Sequence, residues 1–268
     1  MRFPAIILVP VLALSLSAAR AAGLPDTGQD KCYDGASMVT CTSANTGDAA
    51  AYPRQDGRFG RDASNTAGTL TKIGGGAAGF DYSKIANNGS DLGAGVGLAL
   101  GTNPADWACT RDNITGLTWE VKVNDETHLR HWNWQYTWHN STGVNDGGNA
   151  GSVGSNTSCN STLLFGLCNT EAFVTAVNAP PGLCGQTDWR MPTQRELLTL
   201  VYDGTQNPSI DATYFPNTVT GTGPIYWSGS SSANVGANAW FIDFDLNVSN
   251  AGSKAGLAHV RLVRGVQF

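Results

Sequence analysis

Thr187-Asp188-Trp189-Arg190-Met191-Pro192-Thr193-Gln194-Arg195-Glu196-Leu197-Leu198 is the stretch on which the reading of this chain turns. Thr193 and Glu196 have the Thr-x-x-Glu spacing of a capping box, in which hydroxyl and carboxylate each satisfy a backbone N–H that the first helical turn leaves without a partner. A short helix therefore starts here, with Leu197, Leu198 and Val201 as its buried face. Asp188, Arg190 and Glu196 cluster around Trp189. Charges flanking a tryptophan just before a cap most simply fix the turn by hydrogen bonds and ion pairing.

Upstream, Asn169 or Thr170 can cap a second helix with Phe173, Val174 and Val177 at helical spacing, and Pro180-Pro181-Gly182 stops it. Downstream, Trp240, Ile242, Phe244 and Leu246 alternate with Phe241, Asp243, Asp245 and Asn247, the period of a strand with one buried face. His259 to Arg264 reads as a further strand, on which Arg261 and Arg264 are solvated or pair with Asp243 or Asp245. Trp132, Trp134, Tyr136 and Trp138 also fall on one strand face. Two short helices among many short strands predict an α+β domain.

All eight tryptophans lie beyond residue 106, so the main core is expected there. The chain divides into residues 1–21, a signal peptide; 22–57, a disulfide-pinned N-terminal arm; 58–105, a Gly/Ala/Asn-rich lead-in that is weakly structured from Gly74 to Gly101; and the domain at 106–268. The signal reading rests on Arg2, the apolar run Ile6 to Leu16 and the small-x-small site Ala19-Arg20-Ala21, with cleavage after Ala21. The apolar run is shorter than the roughly twenty residues a membrane span needs. No membrane span is expected, and the expected location is periplasmic or secreted.

Without Arg2 and Arg20 the chain carries 14 basic against 21 acidic residues, about −7. That balance argues against a nucleic-acid partner, whose phosphates demand a basic footprint. With 33 glycines and only 14% charged residues, long amphipathic helices are not expected. Six cysteines in an oxidising compartment imply three disulfides. Of fifteen possible pairings, proximity suggests Cys32 with Cys41 and Cys159 with Cys168, leaving Cys109 for Cys184. There is no Cys-x-x-Cys, and His128, His131, His139 and His259 have no cysteine at ligand spacing, so neither a metal nor a cofactor is expected.

The tryptophans at 132 and 134 offer either a stacking platform for sugar rings or part of a core face, and the alternation favours the core. Asp243-Phe244-Asp245-Leu246-Asn247 superficially matches a calcium loop, but Val248 stands where a tight turn needs glycine and Lys254 where the bidentate glutamate belongs. Neighbouring carboxylates on a strand are more simply its wet side than a glycosidase pair. The best candidate ligand surface is the pair of Gly/Ser/Asn-rich stretches Ser228 to Ala239 and Ser249 to Ala258, bracketed by Trp227 and Trp240, with Ser230, Asn234 and Asn238 as hydrogen-bonding candidates. Long exposed turns are the competing reading. No Gly-x-Ser-x-Gly, His-Glu-x-x-His or phosphate-binding glycine loop is present, so no catalytic residue is assigned. Leu24-Pro25-Asp26-Thr27-Gly28 matches a sortase recognition string at the wrong end of the chain. Six Asn-x-Ser/Thr sequons, at Asn88, Asn113, Asn140, Asn156, Asn160 and Asn247, follow from composition.

Thr115-Gly116-Leu117-Thr118-Trp119-Glu120, Leu183-Cys184-Gly185, the Asp188-to-Thr193 block, Tyr226-Trp227-Ser228 and Val260-Arg261-Leu262-Val263-Arg264 together resemble the Lcl C-terminal domain family, named for the C-terminal domain of a bacterial collagen-like adhesin. The arm, Leu24 to Gln29 followed by Lys31-Cys32-Tyr33-Asp34, is similar to the lead-in of exported members. The resemblance implies a C-type lectin-like fold with long loops presenting a binding surface. It also implies adhesion to a glycan or to an envelope or host protein, in the founding member a sulfated polysaccharide bound by a trimer on a collagen-like stalk. This chain has no Gly-X-Y tract, and its acidity disfavours a polyanion. Two other functions stay open. The lectin-like fold also supports formylglycine-generating oxidases, which would need two free thiols among Cys109, Cys159, Cys168 and Cys184. A structural envelope component that recognises another protein is the third.

Overall fold

The computed structural model describes residues 26–42, 47–164, 166–221 and 223–267. The expected signal peptide lies outside the described residues. The arm forms a hairpin of β1 (Lys31–Tyr33) and β2 (Met38–Thr40), closed by the Cys32–Cys41 disulfide, and continues through three short helices, α1 (Gly47–Ala51), α2 (Asp56–Phe59) and α3 (Arg61–Thr66). None of the three was expected from the sequence; each is too short for a periodic apolar face to register.

The main sheet is antiparallel with strand order β10-β6-β5-β3-β4, built from β3 (Tyr82–Ala86), β4 (Asp91–Gly93), β5 (Trp107–Asp112), β6 (Thr118–Glu120) and β10 (Val263–Arg264). Here the expected weakly structured lead-in is corrected. β3 lies between β4 and β5 with all five residues buried, pairing Ser83 with Arg111 and Ile85 with Cys109. Its Gly/Ala-rich flanks hide a strand whose pairing energy comes from its neighbours.

A second sheet holds β7 (Ile225–Ser231), β8 (Asn238–Asp243) and β9 (Val248–Ser253), with β8 in the middle. Half of the two stretches expected as loops is therefore strand. Ser, Gly and Asn have little intrinsic preference for strands, but a complete ladder from Asn238↔Ser253 to Asp243↔Val248 overrides it. The strand expected to run to Asn247 ends at Asp243. The Asp243 carboxylate accepts the N–H groups of Asp245 at 2.8 Å and Leu246 at 3.1 Å, and Asn247 adopts φ +56°, so the chain turns and Leu246 is left exposed.

Both predicted helices are present. Asn169 caps α4 (Thr170–Val177) by accepting from Ala172 N, and Thr193 with Glu196 forms the reciprocal capping box of α5 (Gln194–Leu198). The buried face of α5 shifts, because the helix stops at Leu198: Leu197 and Leu200 are buried while Leu198 is exposed. The 132–138 segment is not a strand. It turns at Trp132 and then runs extended, with isolated bridges from Tyr136 to Ala258 and from Thr137 to Asn169.

Cys109–Cys184 and Cys159–Cys168 complete the disulfides, the pairing that proximity suggests. Two apolar clusters fill the interior. One surrounds Cys109–Cys184 with Tyr136, Trp138, Phe173, Trp189 and Trp227; the other gathers Tyr82, Trp119, Phe215, Tyr226, Ile242 and Phe244. The interior also holds charges. Glu120 and Lys122 pair at 2.7 Å, and Arg130 donates to the carbonyls of Val121 and Ala108. Arg261, expected on a solvated edge, is fully buried: it donates to Glu120 O at 2.8 Å and Thr218 Oγ1 at 2.9 Å, over the rings of Phe215 and Tyr226. Of the expected His259–Arg264 strand, the ladder takes only Val263–Arg264.

Candidate functional site

A cleft of about 340 Å³ opens between α4, the 138–145 segment, the lead-in to α5 and Gly229 of β7. The α4 side is built by a backbone zipper. Thr170 N donates to Thr137 O at 3.0 Å, Thr170 Oγ1 donates to His139 O, and His139 N donates back to that hydroxyl, both at 2.9 Å. This fixes Glu171, in the first turn of α4, beside His139 and Ser141.

Glu171 Oε2 lies 2.9 Å from His139 Nδ1 and accepts Ser141 N–H at 2.8 Å, while Oε1 accepts the Ser141 hydroxyl at 2.6 Å. The Ser141 hydroxyl, with its N–H and the imidazole, holds this carboxyl below its ordinary pKa, so it is an anion at neutral pH. Ser141 meets the carboxylate and not the imidazole. The order is therefore unlike that of a nucleophile activated by an adjacent base, and the three groups together make an acceptor site.

Next to them, Asn140 Oδ1 accepts from Thr142 N and Oγ1 at 3.0 and 2.6 Å, and Asn140 Nδ2 donates to Val144 O. Thr142, Val144, Asn145 and Thr175 complete that rim. Across the cleft, Arg190 clamps Glu196 with two bonds of 2.7 Å and donates to Gly265 O at 3.2 Å, so its charge is already engaged. Trp138 and Met191 supply apolar lining, and Trp138 is locked by donation to Ser228 O at 2.8 Å. Behind the rim, Lys254 donates to the carbonyls of Asp146 and Asn149, 2.7 Å each, and lies 4.0 Å from the centre of the Trp138 ring. The loop after the rim is thus held by a buried cation.

Of the residues singled out from sequence, Trp138 and Arg190 line this cleft, and the expected ligand-binding residues do not. Trp227 is 1% exposed and donates to Tyr136 O, so the sequence expectation that it faces a ligand is corrected: its N–H needs the buried carbonyl that the Tyr136–Ala258 bridge presents. Asp243 is buried as a turn cap, and Asp245 is half-buried beyond it. Ser230 accepts from Gln194 N and tethers α5 to β7. Asn238 begins β8, Asn234 is exposed in the turn before it, and Trp240 is half-buried on β8. Trp132 donates to Asn124 and Trp134 to His128 O; both are half-buried against His131, while Tyr136 and Trp138 are core. Asp188 pairs with Arg264 at 2.7 Å. His139, Ser141 and Glu171 were missed. Only the acidic residue after the Asn169 cap hinted at them, and acidic first turns are common.

Among the described residues, one set of carboxylates lies close enough to hold a metal ion, Asp26, Asp56 and Asp62; none lines the cleft. No helix of the described residues is long and apolar enough to cross a membrane. A family model described as the Lcl C-terminal domain matches residues 108–264. No curated protein and no solved structure matches the chain.

Proposed function

The chain belongs to the Lcl C-terminal domain family, and from that premise we propose that it is a non-enzymatic binding or adhesion module that works outside the cytoplasm and holds a neutral glycan in the cleft lined by Trp138. The observation that carries the reading is the Glu171–Ser141–His139 arrangement, a charged acceptor fixed on a rim of hydroxyls and amides. Carboxylate, amide and hydroxyl groups are the partners sugar hydroxyls need. With Arg190 spent on Glu196, the described residues that line the cleft offer no free Lys or Arg for a sulfated chain. Three disulfides support an oxidising location.

The fold is read as C-type lectin-like on the strength of two capped helices beside small antiparallel sheets with the ligand cleft at one end of α4. An oxidase on such a fold would need two free thiols, whereas all six cysteines are in disulfides, which favours binding. Probing a glycan array with the protein, alongside Glu171→Ala and Asn140→Ala, tests this. At least a tenfold loss is expected for Glu171→Ala, the size of one charge-assisted hydrogen bond, and a smaller loss of about threefold to tenfold for Asn140→Ala, whose amide is neutral; Glu171→Ala should change the thermal midpoint little, because that side chain is 37% exposed. Background signal for the unmodified protein, or variants that bind as well as it does, refutes the reading.

A further inference from the structure

We propose that Asp26, Asp56 and Asp62 bind a divalent cation, calcium in preference to magnesium, and that this ion ties the N-terminal arm to the body of the protein. Asp26 precedes β1, Asp56 opens α2 and Asp62 lies in α3. One carboxylate oxygen from each falls within 4.8 Å of the other two. Oxygens around calcium at about 2.4 Å are at most about 4.8 Å apart, so one calcium shell can take all three, whereas magnesium usually keeps several waters and is held by one or two carboxylates. The donors are hard oxygens throughout, with no thiolate or imidazole to favour zinc or copper.

A second observation points to a ligand. Asp62 is fully buried, and its Oδ2 has no hydrogen-bond partner. Its other oxygen accepts Gly79 N–H at 2.5 Å. A buried carboxylate oxygen without a donor is costly, and a cation is the partner that would remove the cost. No Lys or Arg among the described residues forms an ion pair with any of the three. Arg61, adjacent to Asp62, turns away: its Nε donates to Gly79 O, and its Nη2 approaches Asp81 at 4.0 Å.

The carboxylates are already oriented. Asp26 accepts Asp62 N–H at 2.8 Å and Thr27 N–H at 3.0 Å, and the Thr27 hydroxyl donates to Asp56 at 2.5 Å. Glycine lets them converge: a Cβ at Gly60 would stand 2.6 Å from Asp56 Oδ1 and 3.2 Å from both Asp26 oxygens, and one at Gly79 2.6 Å from Asp26 Oδ2. Because Gly79 leads into β3, the ion joins the arm to the main sheet.

The experiment uses the full chain, stripped with EDTA. Calcium chloride is titrated calorimetrically, and thermal unfolding is followed in calcium, magnesium or EDTA. Saturable binding and a rise of roughly 5 °C at a hundredfold excess of calcium over Kd are expected, with a smaller response to magnesium. Asp62→Asn is nearly isosteric and can donate to its neighbours. It should be at least as stable as the unmodified chain in EDTA and should lose the calcium response. No calcium heat together with equal midpoints in calcium and EDTA overturns the proposal, as does an Asp62→Asn variant that responds to calcium as the unmodified chain does. A larger response to magnesium overturns the preference for calcium.

Discussion

Replacing both cysteines of one disulfide with alanine should cost very different amounts depending on which bridge is removed. Cys109–Cys184 closes a separation of 75 residues, whereas Cys159–Cys168 closes 9. The loop-closure entropy lost from the unfolded chain gives about 4.5 kcal/mol for the first and about 2.6 kcal/mol for the second at 25 °C. All four sulfurs are buried, at 0 and 2% for Cys109 and Cys184 and 7 and 0% for Cys159 and Cys168, so the cavity left behind is similar in both variants. The difference of about 2 kcal/mol is then a property of topology. Urea unfolding by linear extrapolation measures it, with the slope checked so that a change in unfolded-state compactness is not mistaken for stability. Equal losses, or a greater loss for the short bridge, would refute the reasoning that the long bridge acts chiefly by constraining the unfolded chain.

Glu196→Ala should cost about 3 kcal/mol or more in the same assay, since it removes half of the α5 capping box and leaves the half-buried Arg190 without the carboxylate it clamps. His259 is buried, and burial depresses its pKa to about 4. The unfolded chain, with an ordinary histidine near 6.5, takes up its proton first, so stability is full above about pH 6.5 and falls as pH drops towards 4. His259 should account for about 2 kcal/mol of the loss between pH 7 and pH 5, beside His128, which burial also lowers to about 4; His259→Gln should reduce the slope by that share, and an unchanged slope would assign the acid sensitivity elsewhere.

The capped helices were legible because their signals are local: Asn169, Thr193 and Glu196 act within three residues. The disulfide pairing followed from spacing and compartment. What sequence could not show was set by distant partners. The Gly- and Ser-rich residues of β7 and β9 are strands because β8 pairs with both, and β3 hides in a low-complexity stretch because β4 and β5 flank it. Arg261 looked like a surface cation, and its burial depends on Glu120, Thr218 and two aromatic rings scattered over some 140 positions. Period-two patterns overreached at Trp132 and at Leu246, where a turn residue breaks the strand. The cleft was invisible for a related reason. Glu171 and Ser141 carry no motif, and they meet Arg190 only through the Thr137–Asn169 bridge and the α5 cap.

The buried charges also set an order of events. Lys122 and Arg130 are cations destined for the interior, and Glu120 lies between them and Arg261, which arrives about 140 residues later with the segment that bridges to Tyr136 and Arg190. Until that segment exists, Glu120 lacks the Leu262 N–H that its carboxylate accepts at 3.0 Å and the Arg261 guanidinium on its carbonyl, so burying this group of charges earlier is unfavourable. Closure of the core is therefore deferred until the 258–264 segment has been made. An incomplete chain stays open for that interval, and the domain is expected to fold after synthesis rather than piece by piece during it.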